Sequence, residues 1–142
     1  MKPKAFVVDA SVMVKWIRTE REASLEQAEK LLKDLQENTV MLYAPELAKY
    51  EIGNALVKRK LTPEQAHKSL EVLYSIPVCF IPETAAFATM TYKLANELGI
   101  THYDAAYLTL GKEFKCTVIT ENIKHLGRAK AISVMSLANY PL

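Results

Sequence analysis

No apolar run in the chain approaches the roughly 18–20 residues needed to cross a bilayer. The N-terminal stretch holds four consecutive apolar residues, Ala5 to Val8, before Asp9 interrupts them. That is too short for the apolar centre of a signal peptide, so a cytoplasmic chain with no membrane association is expected. Glycine is scarce. Gly53, Gly99, Gly111 and Gly127 form neither a phosphate-cradling loop nor a dinucleotide fingerprint. There is no Gly-x-Ser-x-Gly elbow to expose a nucleophilic serine. Cysteine is limited to Cys79 and Cys116, each in or beside an apolar run and far from any second cysteine. This excludes a disulfide framework, and buried thiols are expected. His67, His102 and His125 have no ligand-like spacing, which argues against zinc. Neither sign of charge dominates: 18 basic against 16 acidic side chains give +2. Such a balance neither requires nor excludes a nucleic-acid partner.

What remains is ordinary globular material. Half of the 142 residues are hydrophobic and 24% are charged. That suits one domain over residues 1–142, built on a single core. Short apolar runs end abruptly at polar residues. Ala5–Val8, Val40–Tyr43, Val78–Ile81, Thr117–Thr120 and Ile132–Met135 read as buried strands. Between them lie stretches with helical periodicity. The pattern predicts a short helix after Asp9 capped by Ser11, and others over 22–37, 46–60, 83–98 and 104–114. Thr62-Pro63-Glu64-Gln65 carries a capping box for one more, and Gly99 suits a left-handed helix end. Strands alternating with helices imply a three-layer α/β/α sandwich around a mainly parallel sheet of four or five strands. In such sheets sites gather beyond the carboxyl ends of the strands, where the strand order reverses.

Four places put oxygen-bearing side chains where that geometry would use them. Asp9 ends the first strand; its plainer role is to cap the helix that follows. Glu51 shares a helix face with Leu47 and Ala55, beside Ile52 and Leu56. An ionised carboxylate on an inward stripe costs several kcal/mol unless paired or bound to a cation. Asp104 opens a helix, and Thr101 stands at capping-box spacing from it, so a purely structural role is also open. Thr120-Glu121-Asn122 repeats the logic of Asp9 at the end of another strand, with simple helix capping by Asn122 as the alternative. Together these would suit a hard divalent cation such as Mg²⁺ or Mn²⁺, which takes carboxylates, amide oxygens and water. An aspartyl-phosphate route through Asp9 fits less well, because the second aspartate wanted two residues later is Ser11.

The motifs Val7-Val8-Asp9-Ala10-Ser11, Pro45 to Leu56, Tyr103-Asp104-Ala105-Ala106-Tyr107-Leu108 and Val118-Ile119-Thr120-Glu121-Asn122 occur in order along nearly the whole chain. In this the sequence resembles the PIN-domain family, and within it the VapC-like toxin ribonucleases. The resemblance implies Mg²⁺- or Mn²⁺-dependent endoribonuclease activity. It assigns metal binding to Asp9, Glu51 and Asp104, and supporting hydrogen bonds to Ser11 and Thr120. The family's fourth acidic position falls on Asn122 here. A small antitoxin partner, an RNA substrate and a homodimer are implied by the same resemblance. A non-catalytic module of this fold, binding RNA or protein, is the alternative that the Asn122 departure keeps open.

Overall fold

Residues 2–17 and 23–142 are described by the computed structural model. The first strand, β1 (Lys4–Val8), leads into α1 (Ala10–Ile17) and α2 (Leu25–Gln36). The helix expected from residue 22 is seen from Leu25, and its first expected residue lies outside the described ones. Then come β2 (Val40–Pro45), α3 (Leu47–Lys58), α4 (Pro63–Ser75), β3 (Cys79–Ile81) and α5 (Ala85–Leu98). After these come α6 (His102–Phe114), β4 (Thr117–Thr120), α7 (Ile123–Leu126), β5 (Val134–Ser136) and a 3-10 turn over Leu137–Asn139. Local chemistry explains several boundaries. Thr62 and Gln65 form the expected reciprocal capping box in front of α4. Gly99 ends α5 with φ 65°, a conformation a Cβ would disfavour.

The five strands form one parallel sheet in the order β3-β2-β1-β4-β5. This is the expected α/β/α architecture. α1 packs on α2, α3 and α4, while α6 lies across β1, β2 and β4 with α5 against it. Val7, Val8, Val118 and Ile119 are wholly buried, as strands covered on both faces should be. Gly111 lets α6 approach β4 closely, since a Cβ there would meet Val118 Cγ2 at 2.7 Å and Cys116 O at 3.2 Å.

Strand order reverses at β1, which has β2 on one side and β4 on the other. Phe6 is level with Thr117 and Val8 with Ile119. One step further, Asp9 N donates to Ile119 O at 3.0 Å, bringing Asp9 level with Thr120. The register of two buried strands thus fixes the side-by-side placement of two residues 111 positions apart.

Three expectations need correction. Cys79 is exposed and Cys116 half-buried, not sequestered thiols. β3 is an edge strand, so its alternation turns Cys79 outward. The last strand begins at Val134 rather than Ile132, because Ile132 N is spent on a turn to Ala129 O. Ser11 does not cap α1. It is the helix's second residue, and its hydroxyl is used elsewhere.

Candidate active site

Asp9 begins α1 with its backbone. Its carbonyl accepts from Val12 N and Met13 N at 3.0 and 3.2 Å. The carboxylate turns toward β4 instead. Oδ2 accepts from Thr120 Oγ1 at 2.7 Å and from Ser11 Oγ at 2.8 Å. Both hydroxyls are held in place from behind: Thr120 Oγ1 accepts from Asn122 N at 2.8 Å, and Ser11 Oγ from Glu121 N at 3.1 Å. The loop after β4 therefore orients two donors onto one oxygen of Asp9, and among the described residues no side-chain hydroxyl bonds Oδ1. Burial raises the Asp9 carboxyl above its ordinary range, and the nearby Asp104 adds to this. The Thr120, Ser11 and Ala10 hydrogen bonds act the other way.

Glu51 arrives from α3 on the face that the spacing of Leu47, Glu51 and Ala55 defines, and it lines the cleft with Ile52 and Ala55. Burial raises its carboxyl, Tyr107 opposes this by donating a hydrogen bond, and the charges of Asp9 and Asp104 raise it further. Asp104 sits in the first turn of α6, where Thr101 Oγ1 caps its N–H at 3.1 Å. Capping and site membership coexist here, because the cap uses the Asp104 backbone and leaves the carboxylate to face the cleft. Asn122 precedes α7 without capping it through its side chain, and it lines the same cleft. Asp9, Ser11, Glu51, Asp104 and Asn122 thus border one space of about 220 Å³ beyond the carboxyl ends of β1 and β4. Thr120 is wholly buried beneath it.

Tyr107 is the residue that motif spacing does not single out. It lies three positions after Asp104, on a neighbouring stripe of α6, and is 1% exposed. Its hydroxyl donates to Glu51 Oε1 at 2.6 Å and accepts from Ala10 N at 3.3 Å. One phenol thereby ties the start of α1 to the carboxylate of α3. Burial and the Asp9 and Glu51 charges hold this phenol well above its ordinary pKa, so it remains a donor. A sequence signal existed: a tyrosine set among Ala105, Ala106, Leu108 and Leu110 needs a buried partner for its hydroxyl.

Among the described residues, no lysine, arginine or histidine pairs with Asp9, Glu51 or Asp104. Glu121 is different. Its carboxylate meets the buried Lys15 Nζ at 3.3 Å and is neutralised there. Among the described residues, no three Asp, Glu, His or Cys side chains stand close enough to ligate one ion together. The donor set still suits a hard cation of the Mg²⁺ class, which keeps several waters and takes only one or two carboxylates directly.

The sequence profile of the PIN domain matches residues 6–130. The chain belongs to the PIN domain family. No curated protein sequence gives a significant match. Among solved structures, this PIN domain is similar to DNA-bound VapBC from Salmonella typhimurium, with TM-score 0.71 and 15% identity over 94% of this chain and 98% of that one. VapBC2 from Rickettsia felis, bound to a fragment of its promoter, gives TM-score 0.69 and 18% identity over 93% and 98% of the two chains. The sarcin-ricin loop cleaving toxin VapC20 of Mycobacterium tuberculosis gives 0.61 and 14% over 80% and 86%. At such identities the likeness is one of fold.

Proposed function

We propose that this PIN domain is a divalent-metal-dependent endoribonuclease acting as the toxin of a toxin–antitoxin pair. The observation that carries the reading is the cleft itself. Three carboxylates and an asparagine, from two strand ends and two helices, face one space, and among the described residues no cationic side chain compensates them. Unpaired clustered acids are costly in a folded protein, and a bound cation removes that cost. The family and the fold of VapBC complexes support the same reading.

In this proposal Asp9 and Asp104 hold Mg²⁺ or Mn²⁺, with Glu51 reaching the cation through a water molecule. When bound, the cation would supply Lewis acidity toward a phosphate oxygen and toward the attacking water. Ser11 and Thr120 fix the Asp9 carboxylate so that Oδ1 faces the ligand. Tyr107 orients Glu51, which is placed to take a proton from the attacking water. Asn122 contributes a neutral carbonyl oxygen. Lys124 and Arg128 are exposed just beyond Asn122 and are positioned to meet phosphates flanking the cut, with salt-sensitive affinity. A small antitoxin would cover this cleft and place a basic side chain among the carboxylates. A homodimer belongs to the same proposal.

Induced expression in a bacterial host tests the toxin role. Growth should slow with the native chain, recover on co-expression of the upstream neighbouring gene, and stay normal with Asp9→Asn. Normal growth with soluble, intact native protein would contradict it.

A further inference from the structure

A second recess is lined from two of the helices that supply the carboxylate cleft, α3 and α6. Leu47 lies one turn before Glu51 on α3, and Tyr103 immediately precedes Asp104 on α6. With Phe87 of α5, Ala106 and Leu110 they line a mainly apolar pocket of about 150 Å³. Drug-sized sites run to ~300 Å³ or more, so this one matches a single ring system. Its rim carries a polar pair, His102 Nε2 hydrogen-bonded to Glu83 Oε1 at 3.0 Å. Tyr103 is 62% exposed, an aromatic face left to solvent where the pocket opens. Lys49 bonds Glu46 Oε1 at 2.9 Å and stands over the Phe80 ring, so a cation tempers the acids on that side.

We infer that this pocket receives one base of the RNA substrate, a guanine, and sets the nucleotide preference of cleavage. The inference rests on the ribonuclease reading above and names its substrate more closely. Single-stranded bases bind proteins by stacking on aromatic rings while polar groups read their Watson–Crick edges. Tyr103 and Phe87 provide the rings. Glu83 provides the reader. An ionised carboxylate only accepts hydrogen bonds, so it selects bases by their N–H groups. Guanine presents two adjacent donors, N1–H and N2–H, and can engage both carboxylate oxygens. Cytosine, adenine and uracil each offer a single donor group on that edge. His102 holds the carboxylate in place through Oε1, and because each carboxylate oxygen can accept twice, that bond does not prevent a bidentate contact with the base. The pocket and the acids share α3 and the start of α6, where Tyr103 and Asp104 are consecutive, so a base seated here belongs to a nucleotide close to the cut.

Two measurements test this. In the first, the intact protein with Mn²⁺ cleaves a randomised RNA pool, and the cut sites are sequenced. Guanine should be enriched at one fixed position relative to the cut. Glu83→Gln and Tyr103→Ala should reduce that preference roughly 10–100-fold, the range of one bidentate base contact. The cut should still require metal. In the second, guanosine, adenosine, cytidine and uridine are titrated into ¹⁵N-labelled protein without metal. Guanosine should shift the Phe87, His102 and Tyr103 amides, and Glu83→Gln should abolish the effect. Cleavage with no fixed guanine position, or with one untouched by both variants, overturns the inference while leaving the nuclease reading intact. No cleavage by native protein counts against the nuclease reading. In that case, equal or absent shifts from the four nucleosides overturn the pocket assignment on their own.

Discussion

Replacing Tyr107 by phenylalanine removes one oxygen and keeps the ring that fills the core. Two hydrogen bonds go with it. The bond to Glu51 is charge-assisted, and such bonds contribute about 1.5–3 kcal/mol. The bond from Ala10 N is longer, at 3.3 Å, so its loss sits at the lower end of the ~1–3 kcal/mol cost of an unpaired buried donor. Water entering from the cleft can solvate Glu51 again, which lowers the total to about 2–4 kcal/mol. At about 3–4 °C per kcal/mol for a chain of this size, Tm at neutral pH should fall roughly 6–16 °C. The loss should shrink at acid pH, where Glu51 is protonated and the bond is no longer charge-assisted. Activity carries a second signature. The Tyr107 bond holds the Glu51 carboxyl down against burial, so its removal should move the acid limb of the pH–rate profile upward. Thermal melts by circular dichroism across pH, together with kcat profiles, read both effects. A Tm within 2 °C of native and an unmoved acid limb would show that the phenol does not orient Glu51.

Asp9→Asn, Glu51→Gln and Asp104→Asn should each abolish cleavage while leaving the metal-free Tm unchanged or higher, because each relieves repulsion among clustered acids; a fall of many degrees in all three would assign them structural roles. Asp9 and Glu51 both have raised folded pKa values, so the native state binds protons more tightly than the unfolded chain. The metal-free protein should therefore gain stability as pH falls from neutral through those raised values, and saturating Mn²⁺ should flatten that slope; urea titrations from pH 7 toward pH 5 check the sign. Asn122→Asp should tighten Mn²⁺ binding in calorimetry and lower the Mg²⁺ needed for half-maximal cleavage, because anionic oxygens hold hard cations more tightly. Glu121 is occupied by Lys15, so Glu121→Gln should leave metal affinity nearly unchanged; a large loss would assign Glu121 to the site.

The parallel sheet was readable because each strand is a short apolar run ended by a polar or turn residue, and buried parallel strands have that signature. Asp9 and Asn122 were readable for the same reason, since strand ends point into the crevice. Glu51 stood out as a charge on an apolar helix face. The relay behind Asp9 was not readable in the same way. Ser11 looks like a helix cap from its neighbours, and its real partner is the N–H of Glu121, 110 residues away. Only the β1–β4 register brings the two together. Tyr107 escaped because its value lies in contacts to α1 and α3, which helical spacing does not report. Cys79 misled because a short apolar run does not reveal whether its strand is central or at an edge.

In the proposed function the carboxylate cleft holds a divalent cation and uses it to cut RNA. The most direct measurement incubates the purified chain with labelled RNA in Mg²⁺ or Mn²⁺, with EDTA, and beside an Asp9→Asn preparation purified in the same way. Cleavage should need the metal, stop with chelator and be absent from the variant. Equal cleavage with EDTA, equal cleavage by Asp9→Asn, or no cleavage by folded, metal-loaded native protein would contradict it.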